Sequence, residues 1–170
     1  MASSSRSTEP AGPAVAADSP RVWVPPPLIY GGCVAFAWWL GPRFGASFSA
    51  FVPTTAARAA GALLLAAGLV FDLWALGLFV RSRTSALPFR PARAIVAEGP
   101  YRWTRNPMYL GMTLSVLGAG LLLDRVPVAV AALVAAAIVD RWVIPREERY
   151  LESRFGDRYL ELKRRVRRWL

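Results

Sequence analysis

The amino-acid sequence predicts an all-α protein, an integral membrane helical bundle of about four transmembrane helices with a cytoplasmic C-terminal amphipathic helix. Three observations lead there. Hydrophobic residues make up 55% of the 170-residue chain, more than in an ordinary soluble domain. They gather into four apolar runs. The arginines crowd into two stretches, residues 81–105 and 146–168, that flank those runs. Basic residues beside spans set topology and meet anionic headgroups. The formal charge of +10 therefore points to membrane lipids as partners and away from nucleic acid.

Residues 1–25 are rich in Ser, Ala and Pro, and they read as a disordered tail. No apolar core with a cleavage site follows a basic start, so a secretory signal is not expected. Residues 26–170 form one membrane domain, with the polar motifs in 99–170. The first apolar segment, 27–40, opens at Pro25-Pro26-Pro27 and closes at Gly41-Pro42-Arg43. It is short for a span of about 20 residues, so tilt or an irregular extension over 44–52 is expected. The second, 56–80, is rich in Ala and Leu and carries Asp72 as its interior charge. The third and fourth, 107–123 and 126–144, are joined by Asp124-Arg125 into a tight helical hairpin.

At the start of the third segment, Asn106 suits an N-cap and Pro107 the first helical position, where a missing N–H costs nothing. Gly111, Ser115 and Gly118 recur at spacings of four and three, a small-residue face for close packing of another helix. The two basic clusters, and with four spans the N-terminal tail, belong on the cytoplasmic side of what is expected to be a bacterial inner membrane. Trp23, Trp103 and Trp142 fall near span boundaries. After Pro145 the pattern changes. Tyr150, Leu151 and Phe155 share a face before Gly156, and Asp157 can cap a new helix. In it Tyr159, Leu162, Val166 and Trp169 lie opposite Lys163, Arg164, Arg165, Arg167 and Arg168. Such a helix can lie on an anionic membrane face or pack on its own domain.

The chain has no histidine and a single cysteine, Cys33, so no internal disulfide can form. The commonest general base and metal ligand is missing, and no metal site is expected. Chemistry must use carboxylates, Arg, Tyr, backbone groups or a bound cofactor. The densest constellation runs from Gly99 to Gly111, with Glu147-Glu148 beyond the hairpin. Arg105 is a fork for carboxylate or phosphate, Tyr101 and Tyr109 offer rings with hydroxyls, and the N–H groups opening the third helix add positive potential. Glu147 or Glu148 can accept from an ammonium or a ribose hydroxyl; neighbours on a helix point about 100° apart, so one of them faces a ligand. Asp72 is a lesser candidate, or else a buried partner for Arg141 or another arginine. A zwitterion with an amino-acid end, a ribose and an aromatic base would satisfy the set.

Gly99-Pro100-Tyr101-Arg102, Arg105-Asn106-Pro107-Met108-Tyr109-Leu110-Gly111, Glu147-Glu148 and Phe155-Gly156-Asp157-Arg158-Tyr159 together resemble the isoprenylcysteine carboxyl methyltransferase and phospholipid methyltransferase superfamily. The resemblance implies a small bacterial-type integral membrane methyltransferase whose catalytic half is 99–170. It implies S-adenosylmethionine as cofactor, held by Tyr101, Arg105, Asn106, Pro107, Tyr109, Leu110, Gly111, Glu147 and Glu148, with Arg105 and Glu148 as catalytic residues. Arg105 and the Glu147-Glu148 pair are expected to share the zwitterion, carboxylate towards Arg105 and ammonium towards a Glu; the rival is a direct Arg–Glu salt bridge. The acceptor would be lipophilic, an isoprenylcysteine-like carboxylate, a phospholipid amine or a thiol. Asn106 stands where the family motif has histidine, and Leu162 where a second tail tyrosine is usual. Two other readings are an NADPH-dependent membrane reductase of the sterol-reductase type and a non-enzymatic lipid-binding module.

Overall fold

A computed structural model describes residues 20, 22–82 and 92–170. Most of the stretch expected to be a disordered tail lies outside them. Of its end, Pro20 and Val22 are buried against the bundle.

Helix α1, Pro26–Phe44, starts at the proline run with a proline in its first turn. It continues past the expected stop at residue 40 and ends at Gly45. Its last turn is supported by Arg43, whose Nη1 donates to the Trp39 carbonyl at 3.4 Å while the guanidinium sits 4.5 Å from the Trp39 ring centre. Helix α2, Thr54–Arg81, returns along the bundle, and α3, Pro107–Leu122, and α4, Val126–Ile138, form the expected hairpin. α2 packs on α3, α3 on α4, and α1 on α4.

The α2–α3 contact is unusually close, and the small-residue face expected on α3 is what permits it. A Cβ on Gly118 would collide with the Leu65 N–H and lie 2.6 Å from the Gly61 carbonyl. Ser115 fills the space beside Gly68, and Gly111 faces Asp72. At the far end, Asp124 takes a left-handed conformation (φ 55°) in the α3–α4 turn. Its carboxylate accepts from the Ser49 N–H at 2.8 Å and hydroxyl at 2.5 Å, which hold it below the usual carboxylate range. Arg125 stacks 4.1 Å from the Trp38 ring centre. These contacts tie the hairpin to the short 3-10 turn Phe48–Ala50 between α1 and α2 and to α1 itself.

The fourth segment was expected to end near Pro145. Instead the helix continues from Val126 to Phe155, through a π turn at Val139–Val143 and helix α5, Ile144–Phe155. Proline lacks an N–H and crowds the carbonyl one turn back, and a wider turn before it relieves both problems. Gly156 (φ 54°) then ends α5, and α6, Asp157–Arg165, begins. Asp157 is its first residue and makes no capping bond. The amphipathic helix expected to reach Trp169 stops at Arg165, because the tail becomes extended at Val166 and pairs with the loop before α3. Arg167 bridges Thr104, and the Arg105 N–H donates to the Arg167 carbonyl at 2.9 Å. Tyr159, Leu162 and Val166 are buried together, so the tail packs on its own domain.

Among the described residues the fold is all-helical, without strands. Thr54–Arg81 and Val126–Phe155 are long and apolar enough to cross a bilayer, whereas α3, with 16 residues, is shorter. α2 exposes Leu63, Leu69, Val70, Leu73, Leu76 and Val80, an outward apolar surface that suits lipid better than water. Trp23, Trp103 and Trp142 are exposed as well.

The close contact gives a direct test. Gly118→Ala should cost about 1–3 kcal/mol of stability through overpacking. Gly77→Ala, on an open part of α2, should change it by no more than about 1 kcal/mol, in the stabilising direction. Thermal unfolding of the two variants in detergent would separate them.

Candidate functional site

The polar motifs converge where α2 ends, α3 begins and α5 leaves the long helix. The 3-10 turn Gly99–Arg102 opens with Gly99 at φ 55°. A Cβ there would meet the Trp74 ring and Leu78 at 2.9 Å, so the turn seats against α2 only with glycine. Tyr101 packs edge-on against Phe79, ring centres 5.6 Å apart. Thr104 is fully buried; its hydroxyl donates to the Arg168 carbonyl at 2.9 Å and accepts from the Asn106 N–H at 3.1 Å. Asn106 stands at the N-cap position of α3 as expected, but its side chain does not cap. Its Nδ2 donates to the Arg168 carbonyl at 3.0 Å, so the asparagine holds the tail.

Arg105 and Glu148 meet directly. Arg105 Nη2 donates to Glu148 Oε1 at 2.7 Å, and Nη1 donates to the Lys163 and Val166 carbonyls at 3.0 and 2.7 Å. Arg105 Nε is buried without a partner. Glu148, only 6% exposed, also accepts from Arg168 Nε at 3.2 Å and Nη2 at 2.8 Å, with Lys163 Nζ at 3.7 Å. The Glu148 carboxylate raises the already high pKa of Arg168. Arg168 and Trp169 further bind Asp140 in the π turn, Trp169 Nε1 at 2.8 Å. Arg105 and Glu148, two of the three groups expected to share a zwitterion, thus pair directly with each other.

Glu147 behaves differently. It accepts from the Tyr109 hydroxyl at 2.7 Å and, among the described residues, forms no ion pair. It faces a cavity of about 150 Å³. Tyr101, Arg105, Asn106, Tyr109, Glu147 and Glu148 form the polar wall; Phe79, Ile95, Val96, Met108 and Leu151 form the apolar wall, and Pro107 contributes between them. Leu110 and Gly111, expected at the cofactor, do not line it. Successive helical residues turn by about 100°, which carries Gly111 round to Asp72 on α2. Asp72 is not the partner of Arg141, which pairs with Asp140 at 3.5 Å and is largely exposed. Asp72 Oδ1 is buried without a partner.

Tyr150, Lys163 and Arg168 were not among the expected site residues, and Tyr159 appeared only within the motif. Tyr150 lies three residues after Glu147 on α5, a same-face spacing that could have found it. Its hydroxyl accepts from the Ala92 N–H at 2.9 Å. Burial raises the Tyr101 and Tyr159 hydroxyls, with nearby carboxylate charge adding to it, so both keep their protons.

The fold and site define, among the described residues, an all-helical membrane protein with a motif-lined cavity, polar on one wall, at one end of its bundle. The sequence profile of phospholipid methyltransferases matches residues 56–158, more than half of the chain. The chain belongs to that family, within the isoprenylcysteine and phospholipid methyltransferase superfamily, whose members are membrane methyltransferases. An uncharacterized protein of Haemophilus influenzae is 40% identical over 63 residues, 37% of this chain and 100% of that one. Cobalt-zinc-cadmium resistance protein CzcN of Cupriavidus metallidurans is 32% identical over 77 residues, 45% of this chain and 35% of that protein. No solved structure matches.

Removing the buried Glu148 carboxylate strands Arg105, whose side chain is 9% exposed. Glu148→Ala should therefore cost about 3–5 kcal/mol. Arg165→Ala, which breaks an exposed pair with Glu161, should cost at most about 1 kcal/mol. Chemical denaturation of both variants is the measurement.

Proposed function

We propose that this protein is an S-adenosylmethionine-dependent membrane methyltransferase acting on a lipophilic acceptor. The observation that carries the reading is Glu147, a half-buried carboxylate with no ion pair among the described residues, facing a cavity built from the family motif. An uncompensated carboxylate in such a place suits a ligand that brings positive charge. The cofactor, when bound, supplies an activated methyl group on a sulfonium.

The chain's own part is positioning and exclusion of water, which dominate an in-line displacement. Glu147, held by Tyr109, accepts from the ammonium or a ribose hydroxyl. Tyr101, Asn106 and Pro107 shape the wall, and Arg105 with Glu148 fixes that wall to the tail. The apolar side formed by Phe79, Ile95 and Val96 receives an acceptor arriving from the bilayer. The site faces the cytoplasm of the bacterial inner membrane, following the arginine distribution, and the exposed Arg164, Arg165 and Arg167 meet anionic headgroups there.

Two measurements test this. Labelled S-adenosylmethionine incubated with the protein and total membrane lipid, prenylcysteine analogues or small thiols should label one class of acceptor; NADPH binding in place of S-adenosylmethionine would instead favour a reductase. Reporter fusions at Leu170 and after Asp124 should lie on opposite sides of the membrane, Leu170 inside. An Asp124 fusion on the cytoplasmic side would rule out the proposed orientation.

A further inference from the structure

The chain also reaches the cavity from a direction that the motifs do not use. Pro20, ahead of α1, is buried and lines the cavity, whereas every other lining residue lies between Phe79 and Leu162. Close by in sequence, Val22 is 7% exposed and sits in the core cluster with Tyr30 of α1 and with Val139, Val143 and Ile144 of the long helix. Tyr109, which holds Glu147, packs against that cluster, and so does Trp169 from the tail. Trp23 and Val24 are exposed. The segment therefore turns two side chains inward, one into the cavity wall and one into the core beside it.

The sequence favours this placement. Val24 precedes the run Pro25-Pro26-Pro27. Proline fixes its own φ and pushes the residue before it into an extended conformation, so the chain leaves α1 in a set direction. A segment restricted in this way has fewer conformations to lose on docking. Pro20 also has no N–H, so it meets an apolar wall without leaving a donor unsatisfied. On the other flank Phe79 of α2 lines the cavity, and it packs against a different cluster, Ala75, Leu78 and Tyr101. The helices pack in the order α2, α3, α4, α1. The cavity thus receives a wall from each outer helix: Phe79 from α2, and Pro20 from the segment that leads into α1.

We propose that the segment before α1 is part of the site: Pro20 closes the cavity on the α1 side, and Val22 is the positioning residue that keeps it there. Displacing the segment opens the cavity to water on that side, while the α2 side stays available to an acceptor from the bilayer. For what the wall protects, the proposal rests on the methyltransferase reading, in which a closed site excludes water from the transfer. The wall itself needs no ligand.

The test uses the full-length chain in a non-ionic detergent. Cys33→Ala removes its own thiol, and Met108→Cys places a single thiol on the cavity wall. The rate of its reaction with a water-soluble maleimide is then measured. Adding Val22→Asn should speed labelling about tenfold, because the rate follows the population of the opened state. Adding Trp23→Ala, on the exposed side of the segment, should not. Gly118→Ala weakens the α2–α3 contact instead; an equal rise with it would mean general loosening and would overturn the wall. So would an unchanged rate in a folded Val22→Asn protein. If Val22→Asn does not fold, single thiols at Pro20→Cys and Trp23→Cys are compared directly. The first should react about tenfold more slowly, and equal rates overturn the proposal. Methyl transfer by the full-length protein with no effect of Val22→Asn on labelling would reject the wall alone. Faster labelling in Val22→Asn, with no S-adenosylmethionine binding or methyl transfer by the parent chain, would reject the methyltransferase reading and leave the wall standing.

Discussion

The Glu148 carboxylate is the point on which the site end of the molecule depends. It is buried at the edge of an apolar bundle, where an unpaired charge would be costly. Its partners arrive from three places: Arg105 from the loop before α3, Lys163 from α6, and Arg168 from the tail. Satisfying one carboxylate thereby fixes the relative position of segments far apart in sequence. The second terminal nitrogen of Arg105 binds the Lys163 carbonyl in the last turn of α6 and the Val166 carbonyl just beyond it, so the same guanidinium sits where α6 stops and the chain turns into its extended end.

This arrangement divides labour between two adjacent acids. Glu148 is neutralised by the protein, and Glu147, one residue earlier on α5, is bonded by a tyrosine hydroxyl. The helix makes that division automatic, since neighbours point in different directions. The close α2–α3 contact supports it from the other side. Gly68, Ser115 and Gly118 bring the two helices together, and Gly99 lets the motif turn sit on Trp74 and Leu78 at the end of α2.

Much of this was legible in the sequence. The helical hairpin, the small-residue face of α3 and the gathering of Arg105, Tyr109, Glu147 and Glu148 follow from hydropathy and short motifs. What was hidden is instructive. The spacing of Tyr159, Leu162, Val166 and Trp169 suits a helix, but hydrogen bonds to Thr104 and Arg105 override local periodicity beyond Arg165. Arg168 could not be distinguished from its basic neighbours, because its role comes from a carboxylate twenty residues away. Asn106 has the right chemistry for a cap, yet the Arg168 carbonyl competes successfully for its side chain. Leu110 and Gly111 belong to the motif in sequence and to the α2 contact in space.

The π turn at Val139–Val143 has one more consequence. The buried seam of the long helix runs through Val128, Ala132, Ala135, Val139 and Val143 and resumes at Ile144 and Glu148, one position later, and across the turn the Ile144 N–H donates to the Val139 carbonyl five residues back. The turn acts as a phase slip. It keeps the seam of the apolar half and the seam of the polar half on one side of the helix, although in sequence they run in different registers. Length at this turn therefore governs the site as much as composition within it: the direction in which Glu147 and Glu148 point is set several residues upstream, inside the apolar part of the helix.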